Sequence, residues 1–507
     1  MSNRYLVRLL CAATALATAG CAAVDPSADY RLVDERVRAA LGADVSPRFA
    51  DDAQIAATTD ALLADGLTAD EALQLSLLNN PGVRAAYARV GIARADVVQA
   101  GLFSNPTLSI ALRFPDGGGL SNIELAVAQS IAELWLLPVR KRAAEGELQR
   151  EILVVAREIS RAALDARAAY FEALAAERAE TLARESGRVA QELLDAAVAR
   201  QQAGVGSEID VNLARTELMQ TEVGARRAAQ ATAESRLRLA AVLGLRDAAD
   251  GLKLAGELPE PPHGGLDAER LAALAETTRL DLVAAGYVVR VAEARVEQEQ
   301  LSVFADVEVG LSVERDARNS RGDRPWLADT AWATAEAGEL AAPSLRPRER
   351  VSTDVVLGPT LSLKLPIFDQ NQAQIAKARH AHEAACAGRD ALLVEVLQET
   401  RAAAGRAQAS WDVARYYRDR LLPLADESLG LAREAYRSGK LSLLAVLEAQ
   451  KSLLAARERY LEALREGIVA LIQLEKAVGL PAESLLTSPA RTTATAPLEA
   501  VAGADQP

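Results

Sequence analysis

The chain states its plan twice. Gly66 to Leu112 returns as Gly265 to Leu311, 199 residues later. Within that block Val83-Arg84-Ala85-Ala86 matches Leu282-Val283-Ala284-Ala285, and Leu108, Ile110 and Leu112 match Val307, Val309 and Leu311. Ala203 to Leu245 returns as Ser438 to Leu480, now 235 residues later, so about 36 extra residues separate the two blocks in the second copy. A period near 200 is too long for a solenoid. It reads as a tandem duplication of one helix–strand–strand–helix unit, so whatever the first copy builds the second must build again.

The start of the chain sets its compartment. Arg4 and Arg8 precede a short apolar run, and Ala17-Thr18-Ala19-Gly20-Cys21 follows. This is a secretory signal over 1–20, too short to stay as a spanning helix. Small residues before Cys21 resemble a lipoprotein signal, with Cys21 as the acylated first residue. Ala22 and Ala23 carry no aspartate of the kind that retains a lipoprotein in the inner membrane, which favours the outer membrane. No later stretch is apolar enough for a transmembrane helix, so any membrane crossing must be made by strands in a closed barrel. Besides Cys11 and Cys21 only Cys386 remains, which leaves no disulfide framework within one chain. A net charge of −13 argues against nucleic acid as a partner. Abundant alanine with only 4% aromatics suits long helices packed through small side chains.

After a lipidated arm (21–65), Thr68-Ala69-Asp70-Glu71 opens a helix as a capping box. The helix is expected to run to about Phe103 with a kink at Asn80-Pro81. Alternation over Thr107 to Arg113, a turn at Phe114 to Gly119, and alternation at Ile123, Leu125 and Val127 predict a hairpin over about 106–131. A continuous helix is expected from about Pro138 to Gln202, roughly 100 Å long. Gly204-Val205-Gly206-Ser207 breaks it, and a second helix runs from Glu208 to Leu243. The first repeat thus occupies 66–255. A Pro/Gly linker (256–265) leads to the second (266–486). There one helix is expected from Asp267 to about Ser302, then a hairpin over about 305–366. The extra residues are expected to form an inserted extracellular loop at 314–354. Helix then continues to Arg437 with an interruption near Pro423, and the last helix reaches Val478. The Thr/Ala/Pro-rich tail (487–507) is expected to be disordered.

These patterns imply a fold that is mainly α with a small β part. Four strands of about nine residues can cross a bilayer when tilted, but four cannot close a barrel. Open strand edges are not tolerated in lipid, so copies must assemble. Three chains would give twelve strands, with the long helices as a second, helical barrel in the periplasm.

The chain resembles the TolC-like outer-membrane efflux proteins over nearly its whole length after the arm. The resemblance rests on the twofold repeat, on Asn105-Pro106-Thr107-Leu108 before the first strand, and on Leu365-Pro366-Ile367-Phe368-Asp369 after the last. Gly204 to Val211 and Tyr436 to Leu447 resemble the family's two periplasmic tip turns. The family implies a homotrimer in outer-membrane lipid. It also implies an adaptor (membrane fusion) protein docked on the tips and an inner-membrane transporter of the resistance-nodulation-division type. There would be no enzyme activity, no cofactor and no nucleic acid. The chain agrees in lacking a phosphate-cradling glycine loop, a Ser/His/Asp arrangement and an HExxH. The same fold also serves type I secretion, and a non-transporting envelope spacer is a further reading.

By that resemblance Gly204, Gly206, Ser207, Gly439 and Ser442 would dock the adaptor. Asp210 and Tyr436 would pair across the closed end, and Glu448 would lie on an acidic constriction. Leu441 and Ala445 depart from the family, standing where well-known members carry a base and an acid. His380, His382 and Cys386 cluster, but His380 lies on another helix face, so no metal site is assigned. Ser130-Ile131-Ala132-Glu133-Leu134-Trp135 is similar to members paired with cation pumps. This makes heavy-metal cations one substrate class, beside drugs and organic solvents.

Overall fold

The computed structural model describes residues 23–42, 52–114, 121–245, 252–262, 264–325, 327–340 and 345–486. The signal (1–20), Cys21 and the tail (487–507) lie outside them. The chain divides into two compact units. One comprises Met1–Ala95, Glu147–Val289 and Ala385–Pro507, and the other Asp96–Gly146 and Arg290–Ala384.

The first unit is helical. The arm contributes α1 (Ser27–Leu41) and α2 (Asp52–Ala64). Val33 and Val37 of α1 are buried, and so is Asp29. The Asp29 carboxylate is compensated by Arg94, whose Nε donates to Oδ2 at 2.6 Å. A buried carboxylate needs such a partner. The capping box expected at Thr68 is formed: Glu71 N donates to Thr68 Oγ1 at 3.3 Å, and Thr68 N to Glu71 Oε2 at 2.8 Å. It opens α3 (Ala69–Asn79), and α4 (Pro81–Ala100) follows. Asn80 between them is extended (φ −69°, ψ 116°). Proline disfavours helical backbone in the residue before it, so the expected kink is a full break.

The expectation of one helix over Asp267–Ser302 is corrected. There are two, α7 (Ala268–Thr278) and α8 (Leu280–Leu301), separated at extended Arg279. No proline marks the site. The cause is tertiary: the buried Arg279 guanidinium donates to Ala477 O at 2.7 Å and to Asp281 Oδ1 at 3.0 Å, and pairs with Glu399 at 2.7 Å. Each break meets the glycine that ends another helix. Gly244 (φ +71°) closes α6 (Glu208–Val242), and a Cβ there would lie 2.8 Å from Asn79 O. Gly479 (φ +81°) closes α12 (Leu443–Val478), and its Cβ would lie 3.4 Å from Thr278 O.

Helix α5 (Glu133–Gln202) starts before Pro138 and runs for 70 residues. Helix α10 (Gln372–Tyr416) passes through one π turn, Tyr417–Leu421, into α11 (Leu422–Arg437). Pro423 cannot donate a helical hydrogen bond, and the wider turn absorbs the defect. Alanine dominates the buried faces. Ala166 and Ala173 pack with Leu67, Leu75, Leu239 and Leu243. Ala403, Ala404 and Ala407 pack with Leu271, Leu474 and Val478.

The second unit carries one antiparallel sheet in the order β1 (Thr107–Arg113), β2 (Asn122–Ser130), β3 (Val307–Pro325), β4 (Leu345–Leu363). The expected loop at 314–354 is corrected. β3 and β4 each run for 19 residues and pair without a bulge from Val307↔Leu363 to Pro325↔Leu345. The short helix α9 (Leu327–Ala337) lies between them. Charged residues, glycine and proline hid these strands, because no apolar face remains there to mark the period.

Gly244→Ala is expected to cost about 1–3 kcal/mol, since it combines a left-handed backbone with a clash against Asn79 O. Gly430→Ala, inside α11 with nothing within 4 Å of its Cβ, should instead stabilise by roughly 0.5–1 kcal/mol. Denaturant midpoints of the purified variants should move in opposite directions.

Candidate functional site

The sheet sorts its residues by parity. Leu108↔Val127, Ile110↔Leu125 and Leu112↔Ile123 stack on one face. Val127↔Leu311 and Leu125↔Val313 extend it across β3, and Val309↔Leu361 and Val313↔Leu357 carry it to β4. Most of these side chains are exposed, Ile110 by 61% and Leu361 by 71%. An apolar face this broad is more than a monomeric soluble surface carries. The opposite face holds Ser109, Ala111, Arg113, Glu124, Ala126, Glu308, Gly310, Ser312, Glu314, Thr360 and Ser362. Arg113 donates to Glu124 at 2.9 Å and lies 3.8 Å from Glu314. A Cβ at Gly310 would sit 2.6 Å from Thr360 Oγ1, so the strands need glycine there. β1 and β4 are the two edges. No helix among the described residues is long and apolar enough to cross a membrane.

The two helix turns form in the helical unit. Gly204 takes φ +72°, and a Cβ on Gly206 would lie 2.8 Å from Gln201 N. Ser207 then caps α6 in a complete box. Asp210 N donates to Ser207 Oγ at 3.1 Å, and Ser207 N to Asp210 Oδ2 at 3.2 Å. Gly439 takes φ +75° at the other turn. Ser442 occupies the cap position of α12, but its side chain makes no cap bond, and Ala445 stands where the box needs an acid. The turns meet through packing. Ala197, Val211, Ala214, Leu443 and Leu447 form one buried cluster, and Leu429, Ala432, Val446 and Leu453 another. Tyr436 touches both.

Asp210 and Tyr436 are therefore close, but each has a different principal partner. The Asp210 carboxylate accepts from Ser207. Arg200 lies over the Tyr436 ring, 4.7 Å from its centroid. Burial raises the Tyr436 phenol above its ordinary value; the Arg200 charge works against this and the Asp210 charge with it. Glu448 is exposed on α12. Sequence reasoning missed Arg200, and it missed Glu217, a largely buried carboxylate 3.0 Å from Lys451. Neither belongs to a motif; both are recognisable only once α5, α6, α11 and α12 are side by side. His380 Nδ1 lies 3.1 Å from Glu383, and no group of three potential metal ligands occurs among the described residues.

Residues 271–480 match the model of the outer membrane efflux protein family. That match covers most of the second repeat. The chain is 25% identical over 443 residues to the cobalt-zinc-cadmium resistance protein CzcC of Cupriavidus metallidurans, covering 82% of this chain and 91% of the relative. Its fold is that of the outer-membrane channel OprN (TM-score 0.61, 19% identity, 88% of this chain and 96% of that one). The outer-membrane protein VceC from Vibrio cholerae is also similar (TM-score 0.60, 18% identity, 82% and 96%). The two helix turns of this chain are unequal: that before α6 has a full capping box and that before α12 has none.

Ser207→Ala should loosen the start of α6 by about 1 kcal/mol, seen as roughly fivefold faster amide exchange over residues 208–212. Asp210→Ala should act on the same box, so the double variant should add little. Ser442→Ala should leave exchange at the start of α12 unchanged.

Proposed function

We propose that this chain is the outer-membrane exit duct of a tripartite efflux pump, assembled as a homotrimer. The observation that carries the reading is the four-stranded sheet with one apolar face and two open edges. Unpaired backbone groups at an edge cost several kcal/mol each in hydrocarbon. A closed barrel removes that cost, and β4 of one copy can pair with β1 of the next. Three copies give twelve strands. The apolar face then meets lipid and the polar face lines the lumen, while the helices form the periplasmic barrel of the duplicated plan. The turns at Gly204–Ser207 and Gly439–Ser442 would receive a periplasmic adaptor that links the duct to a resistance-nodulation-division transporter. Asp210, Tyr436 and Glu448 would narrow the closed end. Acylation of Cys21 would add a lipid anchor.

Small cations, heavy metals among them, are the favoured substrates. The similarity to a cobalt-zinc-cadmium resistance protein supports this. So does the polar face of the sheet, where Glu124, Glu308 and Glu314 outnumber Arg113. Rings of carboxylates favour cation passage.

Protein extracted by detergent from cells fed labelled palmitate should scatter light as about three chains and carry the label. Cys21→Ser should lose the label and keep the mass. A stable monomer would overturn the barrel. Reconstituted in a planar bilayer, the trimer should conduct, and a silent membrane would overturn the duct.

Deleting the gene should lower tolerance to cobalt, zinc or cadmium salts and leave tolerance to large apolar drugs nearly unchanged. The opposite pattern would reassign the substrate to drugs or solvents.

A further inference from the structure

The polar face of the sheet gathers its acids at one end. Glu124 of β2 stands directly opposite Glu314 of β3. Two residues further along β3, Asp316 stands opposite Asp354 of β4. All four are even-numbered on their strands, like Ser312 and Thr360, and so share the polar face. They lie away from the strand termini that join helices, because Thr107, Ser130, Val307 and Leu363 are at the other end. Like charges directly opposite each other destabilise a pair of strands.

One cation answers them. Over all of β1 and β2, 307–316 of β3 and 353–363 of β4, the register puts a single basic residue on this face, Arg113. Arg315, the other basic residue in these spans, falls on the apolar face. Arg113 sits on β1, diagonal to Glu124, whose own β1 partner is Ala111. Its Nη2 donates to Glu124 Oε2 at 2.9 Å, and its Nη1 lies 3.8 Å from Glu314 Oε1. The fork of one guanidinium is thus divided between the two opposed carboxylates. In the neighbouring rung Asn122 Nδ2 donates to Asp316 Oδ1 at 2.7 Å. Among the described residues no three acids are placed to share one metal ion. The side chains of Arg113, Glu124 and Glu314 are 65, 35 and 43% exposed. Ion pairs this exposed add little to stability. The consequence of Arg113 is instead the charge that the face presents.

We propose that Arg113 is a resident counter-ion that keeps Glu124 and Glu314 from capturing divalent cations. The inference rests on the duct reading, in which this face lines the lumen. Carboxylate oxygens are favoured ligands of hard divalent cations, and two opposed carboxylates could grip one between them. An exit path conducts only where attraction is weak enough for the ion to leave. The guanidinium occupies the position such an ion would take, and its charge repels a second cation from it. Glu308, further along the face, keeps the wall acidic without an opposed acid, since Ser130 and Ser362 are its partners. The wall therefore attracts cations without holding them.

The test uses the full-length trimer in detergent with manganese(II) alone as the probe, the free ion being followed by its paramagnetic resonance signal. Arg113→Gln should add one manganese site per chain, at least about tenfold tighter than any site of the wild type, since a unit charge next to a dication is removed. Glu314→Gln made together with Arg113→Gln should abolish the added site. A binding curve of Arg113→Gln identical to that of the wild type would overturn the proposal, as would an added site that survives the loss of Glu314. If Arg113→Gln does not assemble, Glu124→Gln decides the question, because it deprives Arg113 of its nearer partner. In a planar bilayer under a KCl gradient it should move the reversal potential toward anions, and an unmoved potential would overturn the counter-ion role. Manganese binding is read without any current, so a silent membrane counts against the duct, whereas unchanged binding counts only against Arg113.

Discussion

The demand that every backbone polar group be satisfied governs this molecule. The sheet meets it internally at β2 and β3, each of which has neighbours on both sides. At β1 and β4 it does not, and the apolar face makes water a poor substitute. A single copy therefore carries a surface that neither solvent nor lipid can accommodate. The proposed trimer follows from this rather than from any affinity between helices.

The helical unit solves another problem, which is keeping very long helices in register with few large side chains. Alanine faces allow close approach, so each contact is small and many are needed. Two extended breaks, at Asn80 and Arg279, are locked against the glycine ends of α6 and α12. Buried ions sit nearby. Arg157 of α5 has an Nη2 atom 3.1 Å from Asp281 at the α8 start, close enough for an ion pair but not aligned as a hydrogen bond. Burial pulls its pKa down to about 10, with Asp281 opposing. The neighbouring Glu475 carboxylate takes Arg167 and also accepts from Ala482 N at 2.6 Å. Removing one member of such a pair leaves a buried charge, the costly case.

Unequal tips and an extended second hairpin show how two similar halves come to do different things. Ser207 and Asp210 close one helix start by a reciprocal side-chain box, whereas Ser442 and Ala445 form none, and Leu443, Val446 and Leu447 pack at the other. The second turn keeps its backbone hydrogen bonds and the bond from Ser438 Oγ to Ala435 O at 3.0 Å, but it lacks the reciprocal cap that fixes the start of the following helix.

The sequence by itself determined much of this. Period-two alternation at Leu108 to Leu112 and Val307 to Leu311 marks strands, because pleating sends successive residues to opposite faces. Thr68 with Glu71 and Ser207 with Asp210 mark helix starts through bonds that close within four residues. Gly204 and Gly439 mark turns because a left-handed backbone favours residues without a Cβ. Local chemistry was sufficient in each case. What lay beyond it depended on residues distant in the chain. Nothing at Arg279 announces a helix break, since the bond that stabilises it goes to Ala477. The outer rungs of β3 and β4 hold no apolar face, and only their mutual register reveals them as strands. Asp210 was legible as an acid near a turn, but tertiary structure directed its carboxylate to Ser207 and brought Arg200 onto Tyr436. Short-range hydrogen bonding is encoded within a few residues, whereas long-range partners are chosen by packing, and that choice was made only when the chain folded.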